Sequence, residues 1–261
     1  MLLAVPNVSE GRDDAALDAI AHAFAPLLHR SADPDHNRAV FTLAGEPGEL
    51  HRRVVAGARE AIARIDLSCH EGVHPRVGAL DVAPIVYLTP NDLGAACAEA
   101  LVLADELGRL GVPVYLYGEL GGGRTRAQLR RAGGLAAFTP DFGPKDVHPT
   151  AGATLVAARP PLVAFNVEVA APVETAREIA AGLRTDLDVR ALGLQLQNTV
   201  QVSTNIEDHT RVTAADVVAY VAARAPVTGA ELVAPAPRAA LAGFPPEVPL
   251  RGPPAIEDLS S

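Results

Sequence analysis

The sequence predicts an α+β protein made of two ferredoxin-like (βαββαβ) subdomains packed to form a ligand groove between them. Three observations carry this. The second half runs β-α-β-β-α-β by its apolar periodicity, which is the ferredoxin-like order. The first half reads in the same order with an extra α-β appended. A Gly-, Pro- and Arg-rich stretch with weak periodicity, 118–154, lies before the clean second half. The length of 261 residues suits one large domain or two small ones.

The elements follow in chain order. Residues 2–8 form a short apolar strand that stops at Ser9-Glu10-Gly11-Arg12. A helix is predicted over 13–28, with Asp13 and Asp14 in its first turn and Leu17, Ile20, Phe24 and Leu27 at helical spacing. Asp33-Pro34-Asp35 signals a turn. A strand over 37–44 and a helix over 48–66 come next; Leu50, Val54, Ala58, Ile62 and Ile65 share one face of that helix. A polar loop from Ser68 to Gly78 leads to a buried-type strand at 80–88. The helix at 91–110 closes at Gly111, and Val114–Tyr117 is a strand. The segment 118–154 reads as a linker or as functional loops, its Gly118–Gly123 run as a flexible loop or lid. Beyond it come strand 162–169, a helix from Pro172 to Arg184, strands 189–196 and 199–205, helix 213–223 and strand 231–233. The Pro-rich tail from Ala234 is expected to be extended or partly disordered.

Composition narrows the function classes. The net charge of −9 opposes broad phosphate-backbone binding, and the absence of Trp leaves little for a base-stacking surface. Nucleic acid is therefore not an expected partner, whereas small anionic ligands remain open because a cleft on an acidic protein can be locally basic. No apolar run approaches a membrane span, and Met1–Val5 is too short for a signal segment, so no membrane partner is expected. Two cysteines, Cys69 and Cys97, fit a reducing, cytoplasmic setting.

The densest polar cluster is His70-Glu71-Gly72-Val73-His74-Pro75-Arg76. It matches the His-Glu-x-x-His zinc pattern in letters, but that motif needs both histidines on one helical face. Gly72 weakens a helix there and Pro75 pushes His74 out of the helical region. Two readings of His74 stay open: a proton shuttle on a Pro-fixed loop, or a loop histidine bonded to local backbone. His148, also followed by proline, is a rival base. Asn7, Ser9, Glu10, Gly11 and Arg12 lie where the first strand ends, a common site position, although a helix cap accounts for Ser9 and Glu10 equally well. Arg159 is either a carboxylate fork or a surface arginine between subdomains.

Several blocks resemble one family when taken together. They are Val5-Pro6-Asn7-Val8-Ser9-Glu10-Gly11-Arg12, His74-Pro75-Arg76-Val77-Gly78-Ala79-Leu80-Asp81-Val82, Val114-Tyr115-Leu116-Tyr117-Gly118-Glu119, Pro140-Asp141-Phe142-Gly143-Pro144, Gly152-Ala153-Thr154, Ala164-Phe165-Asn166-Val167, Gln201-Val202-Ser203-Thr204-Asn205 and Glu231-Leu232-Val233. Their joint order resembles glutamate formimidoyltransferase and runs in register over about 3–235.

The resemblance implies an N-terminal formiminotransferase subdomain at 1–158, a compact C-terminal one at 159–235 and a Pro-rich tail at 236–261. It implies transfer of a formimidoyl group from N-formimidoyl-L-glutamate to tetrahydrofolate, a co-substrate lying between the lobes, in histidine degradation and one-carbon metabolism. The alternatives are a non-catalytic folate-binding protein of this fold and transfer from a formyl donor. By resemblance His74 is the catalytic base. Asn7, Ser9, Glu10, Arg12, Asn37, Arg76, Gly78, Arg159, Phe165, Asn166 and Asn205 are binding candidates, and Arg38 is a further counter-charge for carboxylates. No metal is implied, and a homodimer is. The sequence departs from the family at Ser31, where an aspartate orienting the histidine is usual. Asp33 and Asp35 stand close by and are the candidate orienters. Pro160 and Pro161 are also unusual, and the compact C-terminal region implies that part of the folate-tail site is missing.

Overall fold

The computed structural model describes residues 1–259, which divide into two compact units, Met1–Pro160 and the chain from Pro161 onward. Each is built around one sheet.

In the first unit the opening strand is split by Pro6 into β1 (Leu2–Ala4) and β2 (Asn7–Val8), both lying between the same neighbours. Those neighbours are β4 (Arg38–Gly45) and β5 (Leu80–Tyr87), both antiparallel to it. β3 (His29–Asp33) pairs with the outer side of β4. Helix α1 (Asp14–Phe24) is capped by Asp13, whose side chain accepts from the Ala16 N–H at 3.0 Å. It stops at Phe24, four residues short of the sequence expectation, because Pro26 supplies no N–H to extend the ladder. Helix α2 (Leu50–Arg64) completes a βαββαβ set. The appended part adds α3 (Leu93–Arg109), β6 (Val114–Leu116), the five-residue α4 (Arg126–Arg130) and β7 (Thr154–Arg159), with β7 parallel to both β5 and β6. Leu17, Ile20, Phe24, Val54, Ala58, Leu103 and Leu107 fill the core between these helices and one face of the sheet.

The second unit has β8 (Val163–Val169), α5 (Val173–Asp186), β9 (Arg190–Gln195), β10 (Val200–Ile206), α6 (Ala214–Ala222) and β11 (Val227–Leu232). Sheet order β11-β8-β10-β9, all antiparallel, is the ferredoxin-like arrangement. Thr213 and Asp216 form the capping box of α6.

Three sequence expectations change. β3 was not foreseen, and it supplies the second strand of the first ferredoxin-like set. The segment 118–154 is not a free linker: it carries α4, and Asp141 accepts from the Leu116 N–H at 2.8 Å and, on its two oxygens, from Nη2 of Arg124 at 2.7 and 2.6 Å. The C-terminal tail is docked on the second unit. Its β12 (Leu250–Arg251) pairs parallel with β11, it ends the described chain in α7 (Ile256–Leu259), and Ala236, Ala240 and Ile256 are buried.

Candidate active site

The site in the first unit starts from a β-bulge. Asn7 pairs with Val82 and Val8 with Leu80, so Asp81 is the extra residue on β5. A bulge re-aims a side chain out of the regular alternation. Asp81 is fully buried, and every acceptor on it is used. Oδ1 accepts from the Val77 N–H at 2.7 Å; Oδ2 takes Nη1 of Arg38 at 2.6 Å and also Nη2 of Arg130. Nε and Nη2 of Arg38 donate in turn to Oδ1 of Asn7 at 3.1 and 2.9 Å. Burial would raise the Asp81 carboxyl, but Arg130, Arg38 and the Val77 N–H outweigh it and hold the group well below the usual carboxylate range. Two guanidinium groups against one carboxylate leave the cluster with a net positive charge.

Beside this cluster runs the loop 66–79. His70 to His74 makes no helical turn, as Gly72 and Pro75 require. Arg76 staples the loop to itself, donating to the carbonyls of Gly72, His74 and His70 at 3.2, 2.9 and 3.0 Å. The loop also packs on the turn after β3. Val73 N–H donates to Asp35 O at 3.3 Å, and Gly72 lies so close that a Cβ there would meet His36 O at 2.5 Å. Asn37, at φ 46°, ties three loops together: Oδ1 accepts from Gly11 N–H at 2.9 Å and Nδ2 donates to Glu71 O at 2.8 Å.

His74 is half-buried on the rim of a cleft of about 460 Å³ lined by Leu67, His70 and the 72–77 segment. Its Nδ1 is 2.7 Å from the Pro75 carbonyl. A carbonyl only accepts, so Nδ1 carries the proton and Nε2 keeps its lone pair. The contact with local backbone is therefore present at Nδ1, while Nε2 keeps a lone pair that can accept a proton. Burial, then the charges of Arg38 and Arg130, push the His74 pKa well below its ordinary value; Asp81 opposes this and His36 adds to it. The imidazole is therefore neutral near pH 7, as a general base must be.

The remaining sequence candidates fall into three groups. Asn7 belongs to the arginine cluster. Ser9, Glu10, Arg12, Asn37, Arg76 and Gly78 build the surrounding loops. Ser9 is buried and its hydroxyl donates to Gly78 O at 2.8 Å. One Glu10 oxygen accepts from the N–H groups of Gly11, Arg12 and Asp13. Arg12 Nε donates to Pro34 O at 2.8 Å, and Gly78 bridges Gly152 where a side chain has no room. Asp33 turns to His36 rather than His74: Oδ2 lies 3.0 Å from His36 Nδ1. Asp35 contributes its carbonyl to Val73. The rival base His148 is spent on its own turn, where Nδ1 accepts from the Ala151 N–H at 3.0 Å.

The third group lies further along the chain. Arg159 ends β7 with Nη1 on Pro160 O at 2.8 Å. Phe165 is a correction: it is fully buried in the second unit's core, edge-on to Phe244, and offers no surface to a ligand. Asn166 and Asn205 share the opposite face of that sheet, with Asn166 Nδ2 donating to Glu231 Oε2 at 3.0 Å. Sequence reasoning missed Arg130 and His36. Arg130 carries no spacing that separates it from Arg124, Arg126 and Arg131, and His36 was absorbed into the Asp33-Pro34-Asp35 turn signal.

Comparison with known proteins decides the family. The formiminotransferase domain, N-terminal subdomain, matches residues 1–159. The chain belongs to the formiminotransferase family. It is 37% identical to the formimidoyltransferase-cyclodeaminase of Mus musculus over 91% of this chain and 50% of that protein. It is 33% identical to the glutamate formimidoyltransferase of Streptococcus pyogenes serotype M1, covering 77% of this chain and 76% of the relative. For the glutamate formimidoyltransferase of Thermoplasma acidophilum the identity is 34%, with 78% and 76% covered. The chain spans about half the length of the formimidoyltransferase-cyclodeaminases of Mus musculus and Rattus norvegicus. The arginine cluster and the His74 loop both lie in the segment that the formiminotransferase model matches. Among the described residues no helix is long and apolar enough to cross a membrane.

Proposed function

We propose that this chain transfers a formimidoyl group from N-formimidoyl-L-glutamate to tetrahydrofolate, releasing glutamate and passing a one-carbon unit from histidine degradation into the folate pool. The observation that carries the reading is His74: a neutral imidazole with one nitrogen fixed on the Pro75 carbonyl and the other free, on the rim of a cleft. Membership of the formiminotransferase family supports it, as do the names of the relatives.

The chemistry needs what this geometry offers. An amine of the folate forms a bond to the formimidoyl carbon and the bond to the glutamate nitrogen breaks. One proton leaves the attacking nitrogen and one reaches the departing nitrogen. Nε2 of His74 takes the first and returns the second, so a single group serves both halves. Holding both substrates on one protein removes the cost of their encounter. Both carry carboxylates, and the excess positive charge of Arg38 and Arg130 over Asp81 favours anions near His74. Arg76 is committed to the loop carbonyls, so its part is to hold His74 in place.

The test is formation of 5-formimidoyltetrahydrofolate from the two substrates. Wild-type turnover with a loss on the order of 10²–10⁴ in His74→Ala supports the assignment. Tetrahydrofolate binding without turnover makes the chain a folate-binding protein, and turnover only with a formyl donor changes the substrate. A folded His74→Ala protein with near-normal rates removes His74 from the mechanism.

A further inference from the structure

We infer that Arg130 binds the α-carboxylate of the formimidoyl donor beside His74, and so selects donors built on an α-amino acid. The inference rests on the transferase reading above and adds to it a specificity-determining residue.

The charge balance calls for an anion. Arg38 and Arg130 both pair with one Asp81 oxygen, so two guanidinium groups face a single carboxylate. The Asp81 side chain is 0% exposed, that of Arg38 11% and that of Arg130 13%. Charges held this far from water need counter-charges. Among the described residues no second carboxylate pairs with either arginine. One positive charge is left over, and an anionic ligand balances it.

The hydrogen bonds say which arginine takes that ligand. Arg38 has all three nitrogens committed, Nη1 to Asp81 and both Nε and Nη2 to Asn7. Arg130 bonds through Nη2 alone, and its Nε is buried without a partner. An arginine presents its N–H groups in a planar fork that matches a carboxylate. α4 positions this fork. Its start is fixed by the capping box of Thr125 and Gln128, and Leu129 is buried in a small cluster with Tyr115 and Leu155.

The chemistry of the substrates says which anion it is. Arg130 stands close enough for its charge to act on the His74 ring. In N-formimidoyl-L-glutamate the α-carboxylate hangs from the carbon that bears the departing nitrogen. The carboxylates of tetrahydrofolate lie at the far end of its arm from the attacking nitrogen. The donor's α-carboxylate is therefore the one held nearest the reacting atoms when they meet Nε2 of His74. A charge-assisted bond there fixes the donor's orientation as well as its affinity.

The experiment crosses enzyme with substrate. Wild type, Arg130→Gln and Arg130→Lys are assayed with N-formimidoyl-L-glutamate and with N-formimidoyl-4-aminobutyrate, which lacks only the α-carboxylate. Arg130→Gln leaves Arg38 and Asp81 as a one-to-one pair, so it should fold, and thermal unfolding verifies this. With the full donor, kcat/KM should fall by about 10- to 100-fold in Arg130→Gln, with KM for tetrahydrofolate unchanged. Arg130→Lys keeps the charge without the fork and should recover part of the loss. With the aminobutyrate donor, wild type and Arg130→Gln should turn over alike, because the partner of the side chain is already gone. Equal losses on both donors overturn the assignment in favour of a role in packing or in the charge on His74. A loss that appears in KM for tetrahydrofolate instead moves the contact to the folate and overturns it too. Wild-type kinetics in Arg130→Gln overturn it and leave the transferase reading standing. A wild-type protein without turnover on either donor, though folded and binding tetrahydrofolate, overturns the transferase reading itself and this inference with it.

Discussion

Arg130, at the end of α4, closes on the buried carboxylate of Asp81, which β5 presents through its bulge. Arg38 holds the same oxygen from β4 at 2.6 Å. The contact ties the segment between β6 and β7 to the wall of the cleft beside His74. The other Asp81 oxygen holds the Val77 N–H, and with it the exit of the loop that carries His74.

Asp81→Asn keeps the shape of this cluster and removes its charge. Two buried guanidinium groups then face each other without a counter-ion. Removing one partner of a buried ion pair costs about 3–5 kcal/mol, far more than a surface pair is worth. The expected outcome is a loss of that size in the unfolding free energy from urea titration, with kcat lowered further because the loop carrying His74 loses its anchor. Equal midpoints for the variant and wild type refute the account.

The same carboxylate predicts an acid limb. Its folded pKa is depressed relative to about 3.9 for an unfolded aspartate. The stability it contributes is therefore complete above the unfolded value and is lost as pH falls through the folded one. From about pH 4 downward, wild type should therefore lose stability more steeply than Asp81→Asn. Chemical unfolding at a series of pH values measures the two slopes.

His74 follows the same sign at a higher pH. Its folded pKa lies below the value of about 6.5 for a free imidazole, so below that pH the unfolded chain takes up the proton first. This group therefore costs stability as pH falls below about 6.5, and His74→Gln removes that cost. In catalysis the same shift moves the acid limb of kcat/KM: turnover should persist below the pH at which an ordinary histidine protonates. A limb centred at about 6.5 contradicts the role of the two arginines.

Much of the fold was readable because the signals were local. Leu17, Ile20 and Phe24 mark α1, and the order of the second half gives its sheet. β3 was unreadable for a physical reason. His29-Arg30-Ser31-Ala32-Asp33 is an edge strand with no large apolar side chain, so its alternation between half-buried and exposed leaves no hydrophobic period. The loop of His74 was legible from Pro75 and Gly72 alone. The groups that set its chemistry were not, because Arg130 and His36 arrive from other elements and only the fold places them beside it. Phe165 was misassigned because an aromatic within a matching block reads the same whether it faces a ligand or the core.

Glu99 predicts a stability effect remote from chemistry. α2 has no side-chain cap of its own, and Glu99 on α3 supplies one from outside. Its carboxylate accepts from the N–H groups of Gly48 and His51 at 2.6 and 2.7 Å and lies 2.8 Å from His51 Nδ1. Glu99→Ala leaves the buried His51 groups unpaired, at a cost of about 1–3 kcal/mol. The melting temperature should fall, with KM for both substrates unchanged.

Gly57 sets two known tendencies against each other. It lies inside α2, where replacing glycine by alanine ordinarily stabilises by about 1 kcal/mol. Here the missing Cβ is the space into which the Phe24 ring of α1 packs, and Phe24 in turn rests on Phe41 with ring centroids 5.1 Å apart. Both rings are fully buried in the core, so the Phe24 ring has nowhere to retreat. Overpacking of this kind costs about 1–3 kcal/mol, which meets or exceeds the gain in helix propensity. Gly57→Ala should therefore lower the melting temperature, and the double variant Gly57→Ala with Phe24→Leu should recover part of the loss by freeing that volume. A single variant more stable than wild type shows that α1 shifts outward and that helix propensity decides the site.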